Sequence, residues 1–246
     1  MTAGIIFATL VGASVGGFIS GLSGFAFGMA ALSIWIWSLD PHILAPMVVF
    51  GSLVAQLVSF GVMRRGLVWA RLAPFLIGGA AGVPAGFLLL QAIDPTRFRA
   101  VVGAVLVAYC SFMLLAPQFP PVRRGGRLAD ALVGIVGGTM GGLAGLSGPA
   151  PTIWCALRGW DKEGQRAVFQ TFNLAMHVIV LTVYAFGGLL TAEMGPVFAL
   201  MLPAVLLSTW LGATLYRRLS DLAFRRMVLS LLLMSGVVLL TSALLR

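Results

Sequence analysis

Two copies of one tetrapeptide hold the residues with the clearest chemical potential. They are Gly21-Leu22-Ser23-Gly24 and Gly145-Leu146-Ser147-Gly148, each set inside a long apolar run. Each is preceded by a glycine at a matching place, Gly17 and Gly141. Glycine loosens a helix there and frees backbone groups that hydrocarbon cannot satisfy, so such breaks persist where they line a cavity or a site. A helix restarting after Gly24 or Gly148 presents free N–H groups and the positive end of its dipole, which attracts anions. Ser23 and Ser147 add hydroxyl donors. Pro149 and Pro151 suit a first helical turn, where no N–H is needed. The competing explanation is a tight helix-packing motif, which does not account for the double break.

A second polar feature repeats as well. Ser52, Gln56 and Ser59 fall at i, i+4, i+7, and Gln170, Asn173 and His177 at i, i+3, i+7, so each set shares one helical face. At an offset of 121, Ser52 pairs with Asn173, Gln56 with His177, and Asp40 with Asp161. Polar side chains this deep in apolar sequence face the bundle interior, either lining a site or bonding helix to helix. Phe25 and Phe27 follow the first break and can wall or gate a pocket. The expected substrate-binding set is therefore Ser23, Gly24, Phe25, Ser147, Gly148, Ser52, Gln56, Gln170, Asn173 and His177. His177 is also the coupling candidate, since imidazole can carry a proton.

The elements that position these residues are transmembrane helices. Hydrophobic residues make up 60% of the chain and charged residues only 9%, against about 25% charged in soluble domains. The expected fold is an all-α polytopic membrane protein. Residues 1–122 form one repeat, with a broken hairpin at 2–38 and spans at 43–63, 69–91 and 97–117. A basic linker covers 123–127. Residues 128–246 form the second repeat, with a hairpin at 128–157 and spans at 166–186, 190–216 and 222–245. A straight helix over 2–38 would be about 55 Å long, against a hydrocarbon core of about 30 Å. If both broken segments cross once, Lys and Arg divide almost evenly between the two sides. If both are re-entrant, thirteen of the sixteen collect on one face, as the positive-inside rule requires. Each repeat then has three full spans, so the two are inverted, with both termini outside and the hairpin tips meeting near the midplane.

Other classes are excluded or weakened. The net charge of +9 lies in short loops and serves topology rather than nucleic acid. Cys110 and Cys155 are far apart and no Cys/His cluster occurs, so no metal or cofactor is expected. A basic leader is lacking at the N-terminus, so a cleaved signal peptide is not expected. Enzymatic activity is not expected either: Ser147 with His177 is the one nucleophile–base pair, and nothing orients the imidazole. The Gly-rich third spans can pack within the chain or between two chains, which leaves a homodimer open.

The chain resembles the TauE/SafE sulfite exporter family of membrane permeases. The resemblance is carried by Gly17-Phe18-Ile19-Ser20-Gly21-Leu22-Ser23-Gly24-Phe25-Ala26-Phe27-Gly28, by Gly141-Gly142-Leu143-Ala144-Gly145-Leu146-Ser147-Gly148-Pro149-Ala150-Pro151, and by the polar stretch Arg166–Asn173. It spans the whole chain as two halves. Members often carry a longer glycine run and a proline after the first motif. Phe25-Ala26-Phe27-Gly28 stands here, which implies a narrower or more apolar pocket on that side. The resemblance implies export of a small sulfur-containing anion, such as sulfite, sulfoacetate or another organosulfonate. The expected function is a secondary transporter in a prokaryotic inner membrane, with one half rocking against the other. The alternatives are an anion channel or uniporter, or a non-transporting membrane subunit of a complex.

Overall fold

The computed structural model describes residues 3–60, 69–115, 122, 125–216 and 221–245, excepting the side chains of 3, 60, 162, 216, 221–227 and 231. Several basic loop residues used in the topology argument, among them Arg64, Arg65, Arg123, Arg124, Arg217 and Arg218, lie outside the described residues. The first half folds as α1 (Ala3–Ser23), α2 (Phe27–Trp35), α3 (Pro41–Phe60), α4 (Trp69–Ala92) and α5 (Pro95–Leu115). The second folds as α6 (Gly126–Ala144), α7 (Pro149–Leu157), α8 (Lys162–Phe186), α9 (Gly195–Tyr216) and α10 (Asp221–Leu244). A 3-10 turn, Ala192–Met194, leads into α9. Among the described residues there is no strand.

Helix starts follow the Asp signals. His42 N donates to Asp40 Oδ1 at 2.9 Å, Arg97 N donates to Asp94 Oδ1 at 2.9 Å, and Gly164 N donates to Asp161 Oδ2 at 3.0 Å. Each carboxylate satisfies an orphan N–H of a first turn. Asp40 and Asp161 thus cap equivalent helices in the two halves. The Asp161 cap starts α8 at Lys162, one turn earlier than the span expected from 166, so Arg166 stands in the second turn of the helix and not at its first residue.

Six helices are long and apolar enough to cross a membrane: Gly4–Ser23, Pro41–Ser59, Trp69–Ala92, Pro95–Leu115, Glu163–Phe186 and Ala192–Leu215. α10 carries a further apolar run, Val228–Leu244. Ile77 and Leu207 expose 71% and 64% of their surface, which suits contact with lipid. The broken segments are unequal hairpins: α1 has 21 residues and α6 has 19, whereas α2 and α7 have nine each. α1 is therefore long enough to cross by itself, a length not foreseen for a re-entrant arm.

The most extensive contacts join the halves. α1 packs on α9, α4 on α6, and α5 on α10. Along α4–α6, a Cβ on Gly78 would strike the Ala131 backbone, one on Gly82 the Ile135 backbone, and one on Gly86 the Thr139 backbone. That register rises together, so the two helices run parallel at backbone contact. Gly134, Gly138 and Gly142 meet Phe75, Gly79 and Val83 in return. Only a side chain of hydrogen permits such an approach. The glycine face of α4 is thus occupied within the chain. In α1–α9, Gly17 and Gly21 face Ser208, Thr209 and Gly212, again parallel. α5 and α10 cross antiparallel, Gly103 lying against Gly236–Leu240 and Gly236 against Gly103–Val107. Phe27, Trp35, Phe75, Phe98 and Phe172 are fully buried in the core.

Candidate functional site

Each break is closed by one left-handed glycine, but not by the same glycine of the tetrapeptide. In the first half α1 continues through Ser23 and the positive φ falls on Gly24 (φ +84°); in the second α6 ends at Ala144 and it falls on Gly145 (φ +70°). These two are 121 residues apart, the offset that also relates Asp40 to Asp161. The repeated tetrapeptides are 124 apart, so the two serines sit in different places. The Ser23 hydroxyl donates to Ile19 O at 2.8 Å and accepts from Ala26 N at 3.2 Å, inside its own turn. Ser147 lies past the break. Its side chain is fully buried, and its hydroxyl has no hydrogen-bond partner among the described residues.

The breaks meet each other. A Cβ built on Gly28 would lie 3.2 Å from Leu146 and 3.4 Å from Gly145 O, and one on Gly148 would lie 3.0 Å from the Phe25 ring. Phe25 is held edge-on by Phe169 and Tyr109, with ring centroids 5.1 and 6.0 Å away. Phe25 thus walls the junction, while Phe27 belongs to the core beside Trp35.

α8 lies along this junction. Gln170 Nε2 donates to Gly24 O at 3.3 Å, reaching into the other half. One turn on, the Asn173 amide faces Gly148, with Nδ2 3.0 Å and Oδ1 3.4 Å from where a Cβ would stand. Farther along, His177 Nε2 is 3.4 Å from Gly145 O, and the Tyr184 hydroxyl donates to Gly142 O at 2.7 Å. The three polar residues expected on one face do share it.

The polar atoms here are buried without partners. Asn173 is 1% exposed and Gln56 is 1% exposed, and neither atom of either amide has a hydrogen-bond partner among the described residues. The same holds for Ser59 Oγ and His177 Nδ1. Ser52 is buried on α3 with them, and α3 packs against α8. An unsatisfied buried group costs about 1–3 kcal/mol, so such a cluster fits a place where solvent or a ligand supplies the missing bonds. α7 itself offers few N–H donors, because Pro149 and Pro151 have none. Ser147 precedes Gly148 in the chain and the Asn173 amide faces that glycine, so both lie beside the start of α7.

One residue outside the expected set belongs to this region, and another ties the second hairpin together. Arg166 stands one turn before Gln170, and its Nη2 and Nε atoms lie 3.1 and 3.5 Å from a Cβ placed on Gly24. Its spacing to Gln170, Asn173 and His177 (i, i+4, i+7, i+11) was the signal available in the sequence. Asp130 is 5% exposed and accepts from Trp154 Nε1 at 2.7 Å, tying α6 to α7. In the first hairpin Trp35 Nε1 donates to Ala8 O at 2.9 Å, tying α2 to α1. Among the described residues no cluster of His, Cys, Asp or Glu could hold a metal ion.

Six apolar helices of bilayer length, with two broken segments that meet at a buried polar junction, define a multi-pass membrane protein. The chain belongs to the family described as sulfite exporter TauE/SafE, whose pattern matches residues 8–239. This is a family of membrane transporters rather than enzymes. Comparison with curated proteins and with solved structures gives no match.

Proposed function

We propose that the protein is a secondary transporter that exports a small oxyanion, sulfite or an organosulfonate, through the junction of the two breaks. The observation that carries this reading is the set of buried, unpartnered Ser147, Asn173 and His177 atoms beside the second break, with the unpartnered Gln56 amide on α3, which packs against α8. Amide and hydroxyl donors in a site shielded from water bind oxyanions strongly, because the low local dielectric strengthens each bond. Gln170, Ser52, Gly24, Gly148 and Phe25 line the same region, and Ser23 shapes the first turn.

Inversion of the halves is supported by the antiparallel crossing of α5 and α10, which are equivalent helices of the two repeats. With it we place both termini outside an inner membrane. A reporter fused at either end should respond as extracytoplasmic, and a cytoplasmic signal would refute that placement. Alternating access then moves cross-paired units, each hairpin with its partner helix from the other half, because the largest interfaces join the halves.

The test is flux in proteoliposomes containing only this chain, with sulfite and sulfoacetate, with and without a pH gradient. Saturable, gradient-dependent uptake is expected. Flux that does not saturate would make the protein a channel. Absence of flux for both anions would remove these substrates.

A further inference from the structure

Apart from Arg166, the site offers dipoles and neutral donors with no formal positive charge. We propose that Arg166 supplies it: its guanidinium binds the transported anion at the first break, and its fork selects oxyanions over single-atom anions. This rests on the anion-transport reading above.

Two observations place Arg166 there. It points at the left-handed Gly24, where both Nη2 and Nε come within 3.5 Å of a Cβ position. It shares a helical face with Gln170 and Asn173, whose amides reach the first and second breaks. Arg71 and Arg158 stand apart from it: both guanidinium groups lie over the Trp160 ring, at 5.1 and 5.7 Å, and Arg71 shares its place beside Gly164 with the Asp161 carboxylate.

The glycine is part of the device. Any side chain at position 24 would occupy the space the guanidinium and the Gln170 amide face. A planar guanidinium can give two parallel N–H bonds to two oxygens of one anion, which a halide cannot accept in that geometry. Lysine keeps the charge but loses the fork, so the two properties can be separated.

The experiment uses the purified full chain in detergent. Sulfite binding is titrated calorimetrically with chloride as competitor, for the natural protein, Arg166→Gln and Arg166→Lys. Unfolding temperature without anion verifies that each variant is folded. Arg166→Gln should bind sulfite about 10- to 100-fold more weakly, the loss of a charge-assisted hydrogen bond. Arg166→Lys should retain weaker binding and lose preference for sulfite over chloride. If Arg166→Gln does not fold, Arg166→Lys decides. A lysine variant equal to the natural protein in both affinity and preference overturns the proposal while leaving anion transport intact. No saturable sulfite binding by the natural protein would overturn both.

Discussion

Ser23 and Ser147 occupy the same place in the same tetrapeptide, yet one hydroxyl is spent inside its own helix and the other is buried without a partner. The cause is a shift of three residues between sequence register and backbone register. The first helix breaks at the last glycine of its motif and the second at the first glycine of its motif. Repetition of a motif therefore does not carry a role with it; the position of the break decides which side chain faces the junction. The seams differ in the same sense. α4–α6 is nearly all glycine at its contact, and Thr139 Oγ1 donates to Gly82 O across it at 3.2 Å. α1–α9 carries Ser208 and Thr209 instead, and the Thr209 hydroxyl is buried without a partner among the described residues.

The largest expected effect separates the two registers. Gly24→Ala strains a positive-φ position by about 1–2 kcal/mol and drives a methyl into Gln170 and Arg166. It should lower the unfolding temperature in detergent and abolish flux. Gly148, its motif counterpart, has an ordinary φ of −73°. Gly148→Ala should leave stability nearly unchanged and weaken anion affinity, through contact with Asn173 and Phe25. Equal destabilisation by both changes would restore the motif register.

Asn173→Ala comes next. Loss of its donor should raise the apparent KM for the anion about 10-fold or more, while removing two unpartnered buried atoms should leave the unfolding temperature unchanged or higher. A large fall in stability with unchanged KM would make Asn173 a structural residue. The smallest effect belongs to the serine pair. Ser147→Ala should raise KM several-fold without loss of stability. Ser23→Ala should cost about 1 kcal/mol of stability as a lost cap and leave KM unchanged. The reverse pattern would show that the first break, not the second, holds the ligand.

Much of the fold was legible because the bilayer imposes long apolar runs and Asp-Pro pairs end them. Spans at 69–91 and 97–117 match α4 and α5 within about two residues for that reason. The start of α8 was not legible: Arg158–Gln165 reads as a loop until Asp161 is seen to cap Lys162 onward. Arg166 stood inside the expected span as its first residue, but its approach to Gly24, in the other half of the chain, was not legible. The break glycine was ambiguous because each motif offers two, and only backbone dihedrals choose between them. The full-length first arm, α1, also escaped, since a 37-residue apolar stretch does not reveal how unequally it will divide. Asp130 escaped because a lone acid near a helix start looks solvated, and its Trp154 partner is 24 residues away.

The parallel seams have a consequence for assembly. Each broken segment docks its long arm on a helix from the other half of the chain, so neither half buries its apolar faces alone. Cutting the connection between α5 and α6 should yield two fragments that need each other, and that copurify when made together.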